Sequence, residues 1–329
     1  MELIVQNKKN NNISVNLFKL FIVAVLLTVT NIAKSQCVSP TFDNYTYNVV
    51  EIGNQCWFAE NLRTVIYSNG DTIPTNLSES DWTTTFVGAS SIYGQGFISC
   101  TSASGSPPIN ACNETSSLSV YGRLYNWYSI EDNRGLCPNG WHVPSDEDFM
   151  TLEMTLGMSE FEANSVGSLR GTDEGTKLKS TIYWASNNDG TDDYGFTAYP
   201  AGLRNIYEAD LQYPPNWIFD GSGVIGTFWS SSYGPIEGAG AWNRSVDVST
   251  TVSRDAVNEN LGYSVRCIQS PSIPSVLGCT GVMACNYDPA ADEDDGSCEY
   301  PQYGYDCECN QICWGDFTGD GFRTVDDLL

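Results

Sequence analysis

Apolar and polar positions alternate only in short bursts along this chain, and Gly, Ser, Asn or Pro interrupts them roughly every ten positions. Short strands are expected over 47–52, 224–229 and 263–268, where apolar and aromatic residues run between such breaks. A helix is expected from Ser145, because Phe149, Met150, Leu152 and Leu156 then share one side while Asp146 and Glu147 occupy the first turn. Ser145 followed three positions later by Asp148 has the form of a capping box. The apolar run 20–29 is of another kind. It follows Lys8, Lys9 and Lys19, is too short to cross a bilayer, and precedes Ala33-Lys34-Ser35. Residues 1–35 therefore read as a secretory signal peptide with cleavage before Gln36. Cys37 is a poor lipidation site, since Gln36 stands where a small residue is required. No other stretch approaches 18 apolar residues, so the mature chain is expected to carry no membrane span.

Composition divides the remainder of the chain. Residues 36–270 are rich in Trp, Tyr, Gly, Ser and Asn, the texture of a loop-rich domain with a modest sheet. Residues 271–277, with Pro271 and Pro274, read as a linker. From Gly278 to Leu329 there are six cysteines, twelve acidic residues and one basic residue, Arg323, so this tail needs disulfides and metal ions for much of its order. All twelve cysteines lie beyond the cleavage site, an even set that suits an oxidising compartment. The full chain has a charge of −25; removing Glu2 and four lysines with the signal peptide leaves 11 basic against 39 acidic residues, a charge of −28. That balance excludes nucleic acid as a natural partner and favours cation binding or plain solvation.

Candidate catalytic chemistry is thin. His142 is the single histidine, so any Ser-His-Asp or Cys-His arrangement has to be built around it; a hydrogen-bonded loop histidine is the plainer reading. Paired carboxylates of glycosidase type have no local signature. Asp189, Asp192 and Asp193, set among Asn and Gly in 186–195, offer oxygen ligands for calcium, and equally make an ordinary turn. The aromatic residues at 57, 125, 127, 128, 141, 229 and 242 are expected to anchor loops by burying large areas.

Six phrases taken in order, VEIGNQCWFAENLRT (50–64), YGRLYNWYS (121–129), GLCPNGWHVPSDEDFMTLE (135–153), GFTAYPAGLRN (195–205), FWSSS (228–232) and GYSVRCIQ (262–269), resemble the Fibrobacter succinogenes major paralogous domain, FISUMP, of exported bacterial proteins. The resemblance implies an α+β, loop-rich, C-type-lectin-like fold of the sulfatase-modifying-factor type over 36–270. It also implies that Cys137 and Cys267 bridge the helix-entry loop to the last strand. Cys37 with Cys56, and Cys100 with Cys112, are further natural pairs, although spacing alone fixes no connectivity. Formylglycine-generating enzymes of related fold use a reactive cysteine pair, whereas these six cysteines read better as three structural bridges.

Two phrases in the tail carry their own resemblances. GCTGVMACNYDPAADEDDGSCEYP (278–301) is similar to a Cys-rich acidic repeat of exported Bacteroidetes proteins, in which Cys279, Cys285 and Cys298 staple the module and Asp288, Asp292, Asp294 and Asp295 offer oxygens to calcium. DFTGDGFRTVDDLL, within 302–329, resembles one dockerin type I or EF-hand-like loop. Its ligand positions fall on Asp316, Thr318, Asp320, the Phe322 carbonyl, Thr324 and Asp327, with Gly321 at the sharp turn. Thr318 and Asp327 depart from the usual Asp/Asn and Glu, which lowers the expected Ca2+ affinity, and a dockerin has two such loops. The expectation is a secreted or surface-displayed, non-catalytic binding and adhesion protein with a disulfide- and calcium-stabilised tail and a glycan or surface-protein partner. The alternatives are an accessory component of a polysaccharide-degrading assembly, docked to a cohesin-like partner, and an enzyme related to formylglycine-generating oxidases.

Overall fold

The computed structural model describes residues 37–96, 109–185, 188–206, 218–235, 240–270, 277–282, 284–291, 293–300 and 307. The expected signal peptide, Cys100, Asp292 and all six dockerin-like ligand residues, Asp316, Thr318, Asp320, Phe322, Thr324 and Asp327, lie outside the described residues. The chain divides into two compact units, Met1–Ser270 and Pro271–Leu329.

The first unit is a mixed α+β domain with more sheet than helix. A four-stranded sheet has the order β1-β2-β10-β3, with β1 (Val49–Ile52), β2 (Gln55–Phe58), β3 (Trp141–His142) and β10 (Ile268–Gln269). A six-stranded sheet has the order β6-β5-β7-β8-β9-β4. It is built from β4 (Gly167–Arg170), β5 (Ala201–Arg204), β6 (Phe219–Ser222), β7 (Gly226–Tyr233), β8 (Ala241–Val246) and β9 (Val252–Val257). Only β7 with β5 is parallel among these pairs. The first expected strand is shorter than its apolar run, because Tyr47 bonds Pro40 instead of the ladder. The second begins at Gly226, since Val224 is held in a turn by Gly221, and continues to Tyr233. The third is reduced to β10: Tyr263 bonds Tyr125, Ser264 bonds Thr227, Val265 accepts from Leu62 and Cys267 accepts from Phe58, so one extended segment stitches several neighbours.

Long loops stay fixed because indoles reach across them. Trp82, Trp127 and Trp229 donate Nε1–H to the carbonyls of Asn260, Ser230 and Tyr125 at 2.7–2.8 Å, while their rings are buried. Tyr128 and Trp141 of the expected anchors are only half-buried. Cys137 is bonded to Cys267 and Cys37 to Cys56, with sequence separations of 130 and 19. On the chain-entropy account closures of that size contribute about 5 and about 3 kcal/mol. Cys112 is disulfide-bonded as well.

Helix α4 (Asp146–Leu156) follows α1 (Glu79–Thr84), α2 (Glu114–Tyr121) and α3 (Tyr128–Glu131) along the chain and precedes α5 (Glu160–Asn164) and α6 (Glu174–Leu178). Ser145 caps α4 with a complete capping box to Asp148, and Phe149, Leu152 and Leu156 are buried. The same stripe carries Asp146 and Glu153, also buried, at seven-residue spacing on one helix face. They meet the sheet. Arg244 and Arg254 lie directly opposite each other on β8 and β9, a pairing that repulsion would disfavour without counterions. Arg244 bonds Asp146 and Glu153 at 2.7 Å each, Arg254 bonds both oxygens of Asp146, and Arg170 of β4 grips both oxygens of Glu153 at 2.6 and 3.1 Å.

The described part of the second unit pairs Leu277–Gly278 with Glu293–Asp294 in parallel. Disulfides join Cys279 to Cys298 and Cys285 to Cys307. Its fully enclosed apolar side chains among the described residues are Cys279 and Ala284, so staples and turns replace a core.

Candidate functional site

The sequence-derived sites fall out unevenly. His142, on β3, bonds Ser270 Oγ through Nδ1 at 3.0 Å and Asp148 Oδ2 through Nε2 at 3.3 Å. Serine, histidine and aspartate thus meet, but Asp148 Oδ2 also accepts from the Ser145 N–H and hydroxyl as the helix cap. Burial pushes the Asp148 carboxyl up, and the bonds from His142 and Ser145 outweigh it, holding the carboxyl below its usual value. The trio fastens the end of the domain to the start of α4. In the loop before Phe196, Asp189 accepts from Trp184 N, and Asp192 takes both the N–H and hydroxyl of Thr197 at 2.7 Å, so these carboxylates serve as turn caps. In the second unit Asp288, Asp294 and Asp295 each accept a backbone N–H two residues on, from Ala290, Gly296 and Ser297. Among the described residues no three His, Cys, Asp or Glu side chains group as a metal site.

A site that composition does not announce lies at the end of β5. A cleft of about 270 Å³ is bounded by Asn76, Glu79, Gln95, Glu114 and Arg204 on its polar side and by Leu77, Ile218 and Phe219 on its apolar side. Arg204 is its centre. Its backbone exchanges two bonds with Gly262, at 2.9 and 2.8 Å, and its guanidinium lies 4.1 Å over the Trp82 ring and 5.5 Å from Phe219. Gly262 is required by this approach: an added Cβ would fall 2.8 Å from Arg204 Cβ and 3.1 Å from Trp82 Cζ2. Gln95 is held from Ser91 and Ile92 and donates its amide to Asn76.

The electrostatics of the cleft are incomplete. Arg204 Nη2 reaches Glu79 Oε2 at 3.4 Å and the Leu77 carbonyl at 3.3 Å, both long, while Arg204 Nε and Glu79 Oε1 are buried with no hydrogen-bond partner. Burial pushes the Arg204 guanidinium down to about 10, although Glu79 pulls the other way. Burial likewise raises the Glu79 carboxyl, and Arg204 does not offset it. Ionisable groups perturbed by burial beside a cavity mark a candidate functional site. The sequence held a partial signal: Ser78 caps α1 through Asp81, which puts Glu79 and Trp82, three apart, on one side of a turn. Nothing local to Arg204 marks it, because its burial depends on Trp82 and Gly262 converging from distant segments.

No helix among the described residues is long and apolar enough to cross a membrane. No curated protein and no solved structure matches this chain significantly. The model of the Fibrobacter succinogenes major domain does match, over residues 50–269, which is 220 of the 329 residues and takes in both sheets but for Val49, the Cys137–Cys267 bridge and Arg204. The chain therefore belongs to the Fibrobacter succinogenes major domain family.

Proposed function

We propose that this chain is an exported, non-catalytic binding and adhesion protein of the outer cell surface or surrounding medium. The family domain is its recognition unit, and the tail is a connector ordered by Ca2+ and disulfides. The observation that carries the reading is the Arg204 cleft, where amide, guanidinium and carboxylate groups fixed by the fold stand beside an apolar wall. Disulfides at Cys37–Cys56 and Cys137–Cys267, and a bonded Cys112, support an oxidising compartment. They also occupy the sulfurs that a formylglycine-generating type of oxidase would need free, which disfavours that alternative. C-type-lectin-like kinship and the Cys-rich repeat belong to the same proposal, while docking of the dockerin-like loop to a cohesin-type partner belongs to the alternative, an accessory component of a polysaccharide-degrading assembly.

Two measurements test it. Mature protein, residues 36–329, is applied to immobilised glycans and surface proteins, with the supernatant analysed for released products; selective retention without turnover is expected, and product release would overturn the non-catalytic reading. Calorimetric titration with calcium tests the tail: weak uptake, with Kd on the order of 10⁻⁴ to 10⁻³ M, is expected and should be reduced in Asp320→Ala. Identical titrations for both proteins would remove Asp316, Asp320 and Asp327 from the reading.

A further inference from the structure

We infer that the Arg204 cleft binds one neutral, hydroxyl-rich ring, the terminal sugar of a glycan, without a calcium ion. This rests on the binding-module reading and names the ligand class of its site. Size comes first. At about 270 Å³ the cleft is just below the range that encloses drug-sized molecules, so the part of a ligand held inside it is about one ring.

Charge then selects among single rings. One guanidinium faces two carboxylates, Glu79 and Glu114, within a chain of charge −25. An anionic ring is repelled by that surround. A cationic ring is drawn by those carboxylates but has to sit beside the Arg204 guanidinium, which repels it. A neutral ring avoids both penalties.

Bonding pattern supplies the positive argument. Asn76, Gln95 and Arg204 are planar donor groups, and Glu79 and Glu114 are planar acceptors, brought from four segments of the chain around one space. Vicinal hydroxyls donate and accept at once, so a diol can bridge a donor and an acceptor where a simple ion cannot. Gln95 is held in place for this before any ligand arrives: its Oε1 accepts from Ser91 Oγ at 3.2 Å and Ile92 N at 3.3 Å, and its Nε2 donates to Asn76 Oδ1. Leu77, Ile218 and Phe219 offer an apolar surface to the C–H face that every such ring carries.

The experiment uses the mature chain, residues 36–329, in chelator. Glucose, galactose, mannose and N-acetylglucosamine serve as neutral probes, with glucuronate and glucosamine as charged controls. Saturation-transfer NMR detects contact and titration gives Kd. At least one neutral sugar is expected to bind with Kd on the order of 1–10 mM, as befits a dozen heavy atoms. Gln95→Ala and Asn76→Gly should each weaken it by about fivefold or more in a domain that stays folded, Gln95→Ala melting lower because Ser91 and Ile92 lose their acceptor; glycine at 76 also suits the positive φ of 57° there. Binding by no neutral sugar, by charged sugars alone, or only after calcium is added overturns the inference. So does equal binding by both variants. If wild type and Gln95→Ala are retained equally on an intact glycan, recognition lies elsewhere on the domain, and the binding-module reading survives the loss of this site.

Discussion

Arginine meets carboxylate in two places in this domain. Where α4 lies on β8, β9 and β4, Asp146 and Glu153 use both oxygens, and two of the three arginines that hold them, Arg170 and Arg254, also reach the Glu162, Ala163 and Asn164 carbonyls. Beside the cleft, Arg204 and Glu79 meet only at 3.4 Å and each keeps a buried atom unpaired. Their proton equilibria diverge accordingly. Burial pushes the Asp146 carboxyl up, but Arg254 and Arg244 outweigh it and hold it below its usual value, whereas burial of Glu79 wins over Arg204 and raises it. The same residue types thus act as a finished clamp in one place and as a loosely paired couple beside a cleft in the other. A buried ion pair is a poor marker of function by itself; an under-satisfied one at a cavity is a better marker.

The largest expected effect separates the two directly. Asp146→Ala strands Arg254, directly opposite an Arg244 that then has only Glu153 as counterion, and should cost about 3–5 kcal/mol. Glu79→Gln, removing a longer and partly solvated contact, should change stability by about 1 kcal/mol or less. Denaturant unfolding of both variants measures the ratio. Equal losses would mean that the cleft pair is scaffold too, and the comparison would collapse.

A middle case is Arg266, fully buried and, among the described residues, without a carboxylate at salt-bridge distance. It donates to Asn61 Oδ1 at 2.7 Å and to the carbonyls of Phe58, Phe196 and Thr197. Lysine at this position retains the charge but cannot reproduce the planar fork, and at least one carbonyl is left without its donor. Arg266→Lys should therefore cost about 2 kcal/mol, between the two carboxylate variants, by the same denaturant measurement. A neutral outcome would show that buried carbonyls here are satisfied in other ways.

Helix α4 was legible in the sequence down to its cap, because the Ser145 and Asp148 spacing and the Phe149, Leu152 and Leu156 stripe are local. The clamp on it was not. Asp146 and Glu153 fall in the same stripe, yet acids there are intelligible only with Arg170 and Arg244, 17 and 91 residues from Glu153. The extended character of 263–268 was legible, but not that its bonds go to several different neighbours, which leaves only Ile268–Gln269 as ladder. Arg204 reads as the end of an unremarkable AGLR strand until Trp82 and Gly262 close on it. Short-range patterning fixes elements; the satisfaction of charges is decided by pairs far apart in sequence.

The smallest expected effect is one of sign. For Asp146 the folded carboxyl lies below its unfolded value, so its contribution is present above about pH 4 and is lost as pH falls through the lower folded value. For Glu79 the folded carboxyl lies above its unfolded value, so the folded state takes up the proton first. Its favourable contribution is complete below the unfolded value and is lost as pH rises through the folded one. Ionised Glu79 is accordingly a small burden at neutral pH, and glutamine, which mimics the protonated group, should relieve it. Glu79→Gln is expected to be a few tenths of a kcal/mol more stable than wild type near pH 7, with the gain fading as acid protonates Glu79 in the wild type. Paired thermal melts from pH 7 down to pH 4 read this difference while the Asp146 clamp is still ionised in both proteins. A Glu79→Gln variant that is less stable at pH 7, and more nearly equal in acid, would mean that Arg204 needs the carboxylate as a true counterion and that the cleft pair is closer to the clamp than its geometry suggests.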